Sequence, residues 1–313
     1  MPERLPDAVA VLAVLVATLR AATPLIIAGM GELVAEKSGV LNLGQEGMML
    51  VGAAVGFIAA ATTGNAAAGL LAAMAAGAAM ALLFGVLTLT LTANQVATGL
   101  ALTIFGTGLS ALIGVNFVGT PIPGLATVLW PGLAHASPLW QQLLLLDPLV
   151  WLSLLLPPAV QWFLYRTRAG LIVRAVGESH DVAHALGYSV PRIRYLTTVF
   201  GGAMSGLAGA YLSLAYTPMW VENMVAGRGW IALALVVFST WKPGWLALGA
   251  WLFGFITIAQ FEAEAAGISV SPNLLATLPY LATIVVLVLI SHDAVALRLN
   301  APAALGKPFR PTV

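Results

Sequence analysis

The chain contains no cysteine and very little charge. Of its 313 residues, 8% are Asp, Glu, Lys or Arg and 60% are hydrophobic. The lack of cysteine excludes disulfides, thiolate metal sites and cysteine nucleophiles. A typical soluble domain has about 25% charged residues, and a water-soluble chain of this length would need more charge than this to cover its surface. The composition therefore indicates an integral membrane protein.

Charge is missing altogether between Gly47 and Leu146. A helix needs about 20 apolar residues to cross the hydrocarbon core of a bilayer, so this window holds several spans joined by short loops. The scarcity of charge inside the spans also argues against a proton relay or a voltage sensor.

Motifs for nucleotide binding and catalysis are absent as well. The Gly306-Lys307 pair lacks the upstream glycine and the hydroxyl of a phosphate-binding loop. His180 and His184 are four residues apart, but they lie among arginines without the context of a zinc motif, so we expect no metal. A net charge of +1 gives no sign of nucleic-acid binding. We therefore expect no cofactor and no enzymatic activity.

Gly, Pro, Asn and charged residues divide the chain into apolar runs. These runs predict an all-α integral membrane protein, a single transmembrane domain over residues 1–313 with a bundle of about eight to ten helices. The expected spans are 8–30, 42–63, 66–92, 95–115, 145–165, 194–216, 226–241, 244–262 and 274–292. The glycine pairs Gly52/Gly56 and Gly202/Gly206 are predicted to let helix backbones pack closely.

Two long segments interrupt the apolar runs. Residues 116–142 are rich in proline and uncharged, whereas residues 165–194 carry five of the thirteen basic residues. Short loops rich in Lys and Arg stay in the cytoplasm. Counting spans back from the basic loop places Glu32, Glu36 and Lys37 at the cytoplasmic end of the first span, where we expect these charges to be hydrated.

The basic loop contains "ESHDVAHALG", which predicts a short helix over Glu178–Gly187. Glu178, Ser179 or Asp181 could cap its start, and Gly187 suits its end. A short helix parallel to the cytoplasmic face could dock a soluble partner, and an ordinary solvated loop is the alternative on physical grounds alone.

Four segments, in order, resemble permease subunits of bacterial ATP-binding-cassette importers of the nucleoside and simple-sugar branch. "LYRTRAGLIVRAVGESHDVAHALGYSVPRIRY" resembles the coupling-helix region of that family, with Ser-His-Asp replacing its usual Asn-Pro-Glu. "GELVAEKSGVLNLGQEGMMLVGA" resembles an early signature, "GTPIPGL" resembles the external loop, and "AGRGWIALALVVFSTWKPGWLALGAWLFGF" resembles a late segment.

The resemblance implies a multi-pass permease of the bacterial cytoplasmic (inner) membrane, surrounded by lipid. It also implies an ABC ATPase subunit that binds the ATP, a second permease that is either identical or a paralogue, and an extracytoplasmic substrate-binding protein. Residues implied to dock into the ATPase are Arg174, Gly177, Glu178, Asp181, Ala183, Leu186 and Gly187.

Polar residues beside the apolar runs are candidates for the substrate pathway. These are Asn42, Gln45, Glu46, Asn94 and Gln95. Glu46 could instead anchor or cap a helix start, and Asn94 could cap a helix. A branched-chain amino acid permease, a secondary transporter and an intramembrane enzyme remain alternatives, although the paucity of buried charge argues against the second and we find no catalytic constellation inside the spans for the third.

Overall fold

The computed structural model describes residues 4–127, 146–265, 277, 281 and 300–310, and side chains from Val11 onward. Ten helices lie in these ranges: α1 Arg4–Glu36, α2 Gln45–Thr63, α3 Ala66–Gly85, α4 Gln95–Gly114, α5 Pro148–Arg166, α6 Arg168–Glu178, α7 His180–Ala185, α8 Val190–Tyr211, α9 Arg228–Phe238 and α10 Pro243–Ala265. Short π-helical turns, Val86–Thr90 and Leu212–Tyr216, continue α3 and α8. The predicted span 274–292, apart from Thr277 and Leu281, and residues 128–142 of the proline-rich segment lie outside the described residues.

Seven of the described helices are long and apolar enough to cross a membrane, which confirms the expected membrane bundle. Their starts follow local capping chemistry. The side chain of Asn65 accepts backbone N–H bonds at the start of α3, and Asp147 does the same for α5. Both residues immediately precede an apolar run, so capping explains why the predicted and observed starts agree closely.

Helix α8 forms the centre of the bundle and packs against α1, α2 and α3. Glycines make these approaches possible, because a Cβ on Gly52 would overlap the backbone of Gly206. A Cβ on Gly77 in α3 would lie 2.8 Å from the nitrogen of the same Gly206. The predicted packing role of Gly52 and Gly206 is therefore confirmed.

The predicted full span 226–241 is wrong. Helix α9 has only 11 residues, which at 1.5 Å per residue is about 16 Å, half of a hydrocarbon core. It starts after Gly227, whose φ is +83°, and it ends where Thr240 and Trp241 adopt positive φ values of +49° and +55°. The apolar run is longer than the helix because these left-handed residues interrupt it.

The expectation that the charges at the end of α1 are hydrated is also wrong. Glu32, Glu36 and Lys37 are 1%, 0% and 7% exposed. The chain after α1 folds back among the helices instead of leaving them, and the 300–310 segment lies across it. The indole of Trp241 donates a 2.5 Å hydrogen bond to Glu36, and the Lys37 ammonium donates a 2.9 Å bond to the carbonyl of Asn300.

Candidate functional site: the coupling loop and a buried polar cluster

The loop between α5 and α8 folds into two helices. Thr167 caps α6 by accepting a 3.0 Å bond from the N–H of Gly170. Ser179 caps α7 by accepting from the N–H of Val182 at 3.4 Å. Gly187 follows α7 with a φ of +87°, a conformation that favours glycine. The predicted short helix is therefore present but starts later than expected, since Glu178 is the last residue of α6.

Helix α6 is held against the ends of α5 and α1 by two glycines. A Cβ on Gly170 would overlap the backbone of Phe163, and one on Gly177 would overlap the carbonyl of Lys37. Between these glycines, Val173 and Val176 are buried. Helix α6 is therefore packed tightly against the ends of membrane spans rather than loosely tethered.

Helix α7 has one buried and one exposed side. Ala183 is 2% exposed and packs with Val176 and Val190. Val182 in α7, and Leu186 and Tyr188 just after its end, are 59%, 71% and 40% exposed. We call these three residues the α7 patch. All three are exposed in the part of the chain that the structure describes, so the patch offers apolar surface to another protein.

The seven predicted docking residues divide by burial. Glu178, Asp181, Leu186 and Gly187 are exposed, whereas Gly177 and Ala183 are buried. Gly177 and Ala183 thus pack inside the loop, and the docking role of all seven residues stays a prediction. Arg174 is half-buried: its Nε donates to the carbonyl of Leu164 at 2.9 Å, and its guanidinium lies 4.8 Å from the centre of the Tyr165 ring.

Lys37 lies near other charged side chains, and its surroundings change the pKa of its ammonium group. Burial lowers the pKa of Lys37 to about 8, while the negative charge of Glu178 acts in the opposite direction. The neighbouring Arg194 is 1% exposed and donates to the carbonyls of Ser38 and Lys307 at 3.2 and 2.9 Å. Sequence reasoning counted Arg194 among the loop arginines and missed this role, because both acceptors are distant in the chain.

A cluster of hydrogen-bonded polar side chains is buried deeper in the bundle. The Glu32 carboxylate accepts from the backbone N–H of Asn42 at 3.0 Å and from the side-chain amide of Gln45. The carbonyl oxygen of Gln45 accepts from the hydroxyl of Ser205. Thr197 bonds Ser38, and Ser205 lies two helical turns beyond Thr197. The cluster is therefore about 12 Å further along α8 than the contact between Thr197 and Ser38. The segment before α2 therefore reaches well into the bundle.

Glu46 caps the start of α9. Its two carboxylate oxygens accept 2.7 Å hydrogen bonds from the N–H groups of Gly227 and Gly229. Those N–H groups have no partner within α9, and the helix N-terminus carries partial positive charge. The arrangement matches the capping alternative from the sequence, except that Glu46 caps a helix 181 residues away and not its own.

The other candidate pathway residues differ in their surroundings. Asn94 is exposed and caps α4 through a 3.0 Å bond from Ala97. Gln95 is 4% exposed, and its oxygen accepts from the N–H of Leu41 at 2.8 Å. Asn42 is also buried and bonds Gly44 and Met48. The structure thus gathers Asn42 and Gln45 around Glu32 and leaves Asn94 outside, and a role of any of them in the pathway stays a prediction.

The rings of the two histidines of α7 pack edge-on against Phe309, at 5.4 Å for His180 and 5.3 Å for His184. Within the described ranges, no group of three or more His, Asp or Glu side chains is arranged to hold a metal.

Comparison with known proteins assigns this architecture to a family. A family model described as "Branched-chain amino acid transport system / permease component" matches residues 14–290. A putative glucose ABC transporter permease, TsgC13 of Haloferax volcanii, is 40% identical and aligns over 94% of this chain and 96% of its own. The guanosine ABC transporter permease NupQ of Bacillus subtilis is 31% identical over 97% and 98%. The nucleoside ABC transporter permease NupC of Lactococcus lactis subsp. cremoris is 28% identical over 88% and 90%.

The family match covers most of the chain, and the described helices supply the membrane spans that such a protein requires. The chain is therefore a multi-pass protein of the cytoplasmic membrane and belongs to the family of permease components of branched-chain amino acid transport systems, which its relatives place among the permeases of ABC transporters.

Proposed function

We propose that this chain is the permease subunit of an ABC importer that takes up a nucleoside or a simple sugar. The printed names of its relatives, a glucose permease and two nucleoside permeases, support this substrate class. A pathway for a neutral polar solute needs no fixed charge, which suits a chain with so few charged residues. The branched-chain amino acid alternative would need partners for a zwitterion.

The observation that carries the proposal is the exposed α7 patch on the loop between α5 and α8. Val182, Leu186 and Tyr188 present apolar surface on a loop that five basic residues assign to the cytoplasm. Exposed apolar side chains rimmed by polar residues are typical of protein interaction sites. We assign the patch as the surface that docks into the ATPase subunit.

The same loop can transmit a movement of α7 to the membrane spans. Helix α6 is packed on the ends of α5 and α1 through Gly170 and Gly177, so a displacement of α7 by the ATPase moves these spans with it. In the proposed cycle, ATP binding closes the ATPase subunits, rocks two permeases and opens their shared cavity to the other side. Hydrolysis on the ATPase resets the cycle, and this chain carries out no covalent step and holds no cofactor.

Uptake assays test the proposal. Cells with and without this chain, together with its cognate ATPase and binding protein, are given labelled guanosine, glucose or leucine. We expect this chain to be required for uptake of a nucleoside or a sugar. Uptake of leucine alone would favour the branched-chain amino acid alternative, and uptake in cells without the ATPase would favour a secondary transporter.

A pair of substitutions at one position tests the docking assignment. Leu186→Asp places a charge in the apolar patch and should abolish both uptake and co-purification of the ATPase. Leu186→Met keeps the volume and apolar character and should preserve both. If Leu186→Asp retains normal uptake at equal amounts of protein in the membrane, the docking assignment is wrong.

A further inference from the structure

We propose that the 300–310 segment is a brace that holds α7 in its docking orientation, with Phe309 as the positioning residue. The proposal rests on the function assigned above to α7, and it adds a second part of the chain to the coupling machinery.

Helix α7 has only six residues. An isolated helix shorter than about 12 residues is marginal in water, because nucleation is costly. Among the described residues, the apolar cluster beneath α7 has just three buried members, Val176, Ala183 and Val190. A helix that transmits mechanical force therefore needs further contacts to keep one orientation.

Phe309 supplies such a contact. Its ring packs edge-on against His180 in the first turn of α7 and against His184 in the last, with ring centres 5.4 and 5.3 Å apart. It also joins the apolar cluster around Ala183. Edge-to-face aromatic pairs at this distance are favourable beyond the area that they bury. Phe309 therefore spans the length of α7 and explains the spacing of the two histidines.

Arg194 ties the brace to the membrane spans. One guanidinium donates to the carbonyl of Ser38 after α1 and to that of Lys307 in the brace, and a third nitrogen lies 3.4 Å from Nδ1 of His180. Since arginine can only donate, Nδ1 of His180 is the acceptor. A single buried side chain thus connects α1, α7, α8 and the 300–310 segment.

Backbone hydrogen bonds fix the course of the brace. The N–H of Ala304 donates to the carbonyl of Gly177 at 2.8 Å, and that of Gly306 donates to Gly39 at 3.1 Å. Both acceptors belong to the region where α6 contacts the end of α1. The brace is therefore bonded to the end of α6 and to the segment after α1, which we expect to move together.

Spin labelling of the permease tests the brace directly. The natural chain has no cysteine, so Leu186→Cys gives one label on α7, and Leu112→Cys gives a control label of similar exposure, 71% against 73%. Phe309→Ala should increase the mobility of the label at position 186 and leave that at position 112 unchanged. Arg310→Ala, a neighbouring change at an exposed residue, should affect neither label.

Uptake tests the functional consequence. Phe309→Ala should lower the maximal uptake rate about tenfold, if the docking orientation is then populated about a tenth of the time. Phe309→Tyr, which keeps the ring, should restore uptake, and the amount of permease in the membrane should stay equal. Unchanged mobility, or raised mobility with normal uptake, would overturn the brace. A failure of the docking assignment is separate, since it would appear as normal uptake in Leu186→Asp.

Discussion

The carboxylate of Glu46, in the first turn of α2, accepts a 2.7 Å hydrogen bond from the backbone N–H of Gly229, in the first turn of α9. Glu46 is 5% exposed and follows Gln45 of the buried cluster, so the N-terminus of the short helix α9 lies inside the bundle rather than at a membrane surface. Unpaired N–H groups at such a depth are costly. Glu46 satisfies two of them and places negative charge at the positive end of the helix dipole.

Replacing this carboxylate should destabilise the protein. Glu46→Gln removes the charge and points an amide donor toward N–H groups that are also donors. Because hydrogen bonds to charged groups contribute about 1.5–3 kcal/mol, we expect a clearly lower melting temperature in detergent. Glu262→Gln, at an exposed acid, is the control and should melt like the natural protein. Equal melting of both variants would show that Glu46 does not cap α9.

The close approach of helices at Gly206 gives a second prediction. A Cβ at this position would overlap the carbonyl of Ala73, whereas a Cβ on Gly108 would meet nothing within 4 Å. Gly206→Ala should therefore cost about 1–3 kcal/mol through overpacking, while Gly108→Ala should be neutral or slightly stabilising. The melting temperature of Gly206→Ala should therefore be lower than that of Gly108→Ala. Similar melting temperatures would contradict the packing described for α3 and α8.

The hydrogen bond between Ser205 and Gln45 should appear as an energetic coupling. Ser205→Ala leaves a buried carbonyl oxygen of Gln45 unpaired, at a cost of about 1–3 kcal/mol. In a double-mutant cycle, Ser205→Ala should lower the free energy of unfolding less when Gln45→Leu is already present. The interaction energy between the two side chains should be about 0.5–3 kcal/mol. Additive effects on stability would mean that the two side chains do not interact.

The contact between α7 and the brace should weaken at acidic pH. Burial lowers the pKa of His180 from its ordinary value of 6.5; the charges of Arg194 and Lys307 act in the same direction, and Asp181 opposes them. The imidazole of His180 therefore binds a proton more readily in the unfolded protein than in the folded protein. The stability from neutral His180 is complete above pH 6.5 and is lost as the pH falls through the folded value.

Amide hydrogen exchange measures this pH dependence. Protection of Ala304 and Gly306, corrected for intrinsic rates, should fall between pH 7.5 and 5.5. His180→Asn keeps an acceptor near Arg194 but does not titrate in this range, so its protection should be independent of pH. A natural protein with constant protection over this range would rule out His180 as the titrating contact.

Local patterns predicted most of the helices and the coupling helix. The spans expected at 66–92 and 95–115 are close to the observed Ala66–Thr90 and Gln95–Phe117, since Asn65 and Asn94 cap them and the runs between are apolar. Gly187 likewise marked the end of α7, and Ser179 was one of the three residues named as its possible cap. These features depend on neighbouring residues, which a sequence shows directly.

Contacts between distant residues were the part that the sequence did not reveal. Glu46 and the start of α9 are 181 residues apart, and no periodicity signals a half-span ended by left-handed residues. Glu32 and Lys37 were expected to be hydrated because charge at the end of a span ordinarily is. They are buried because the chain after α1 turns back among the helices. Phe309, in the 300–310 segment, carried no motif that would link it to α7.

Cross-linking from α7 tests whether this helix contacts the ATPase subunit in the assembled transporter. Leu186→Cys is introduced into the natural cysteine-free chain, and a short thiol-reactive photo-cross-linker is attached to it in membranes that contain the assembled transporter. We expect a covalent adduct with the ATPase subunit, and none from Leu112→Cys. Labelling of position 186 by an impermeant thiol reagent added outside intact cells, with no adduct to the ATPase, would show that α7 is not the docking helix.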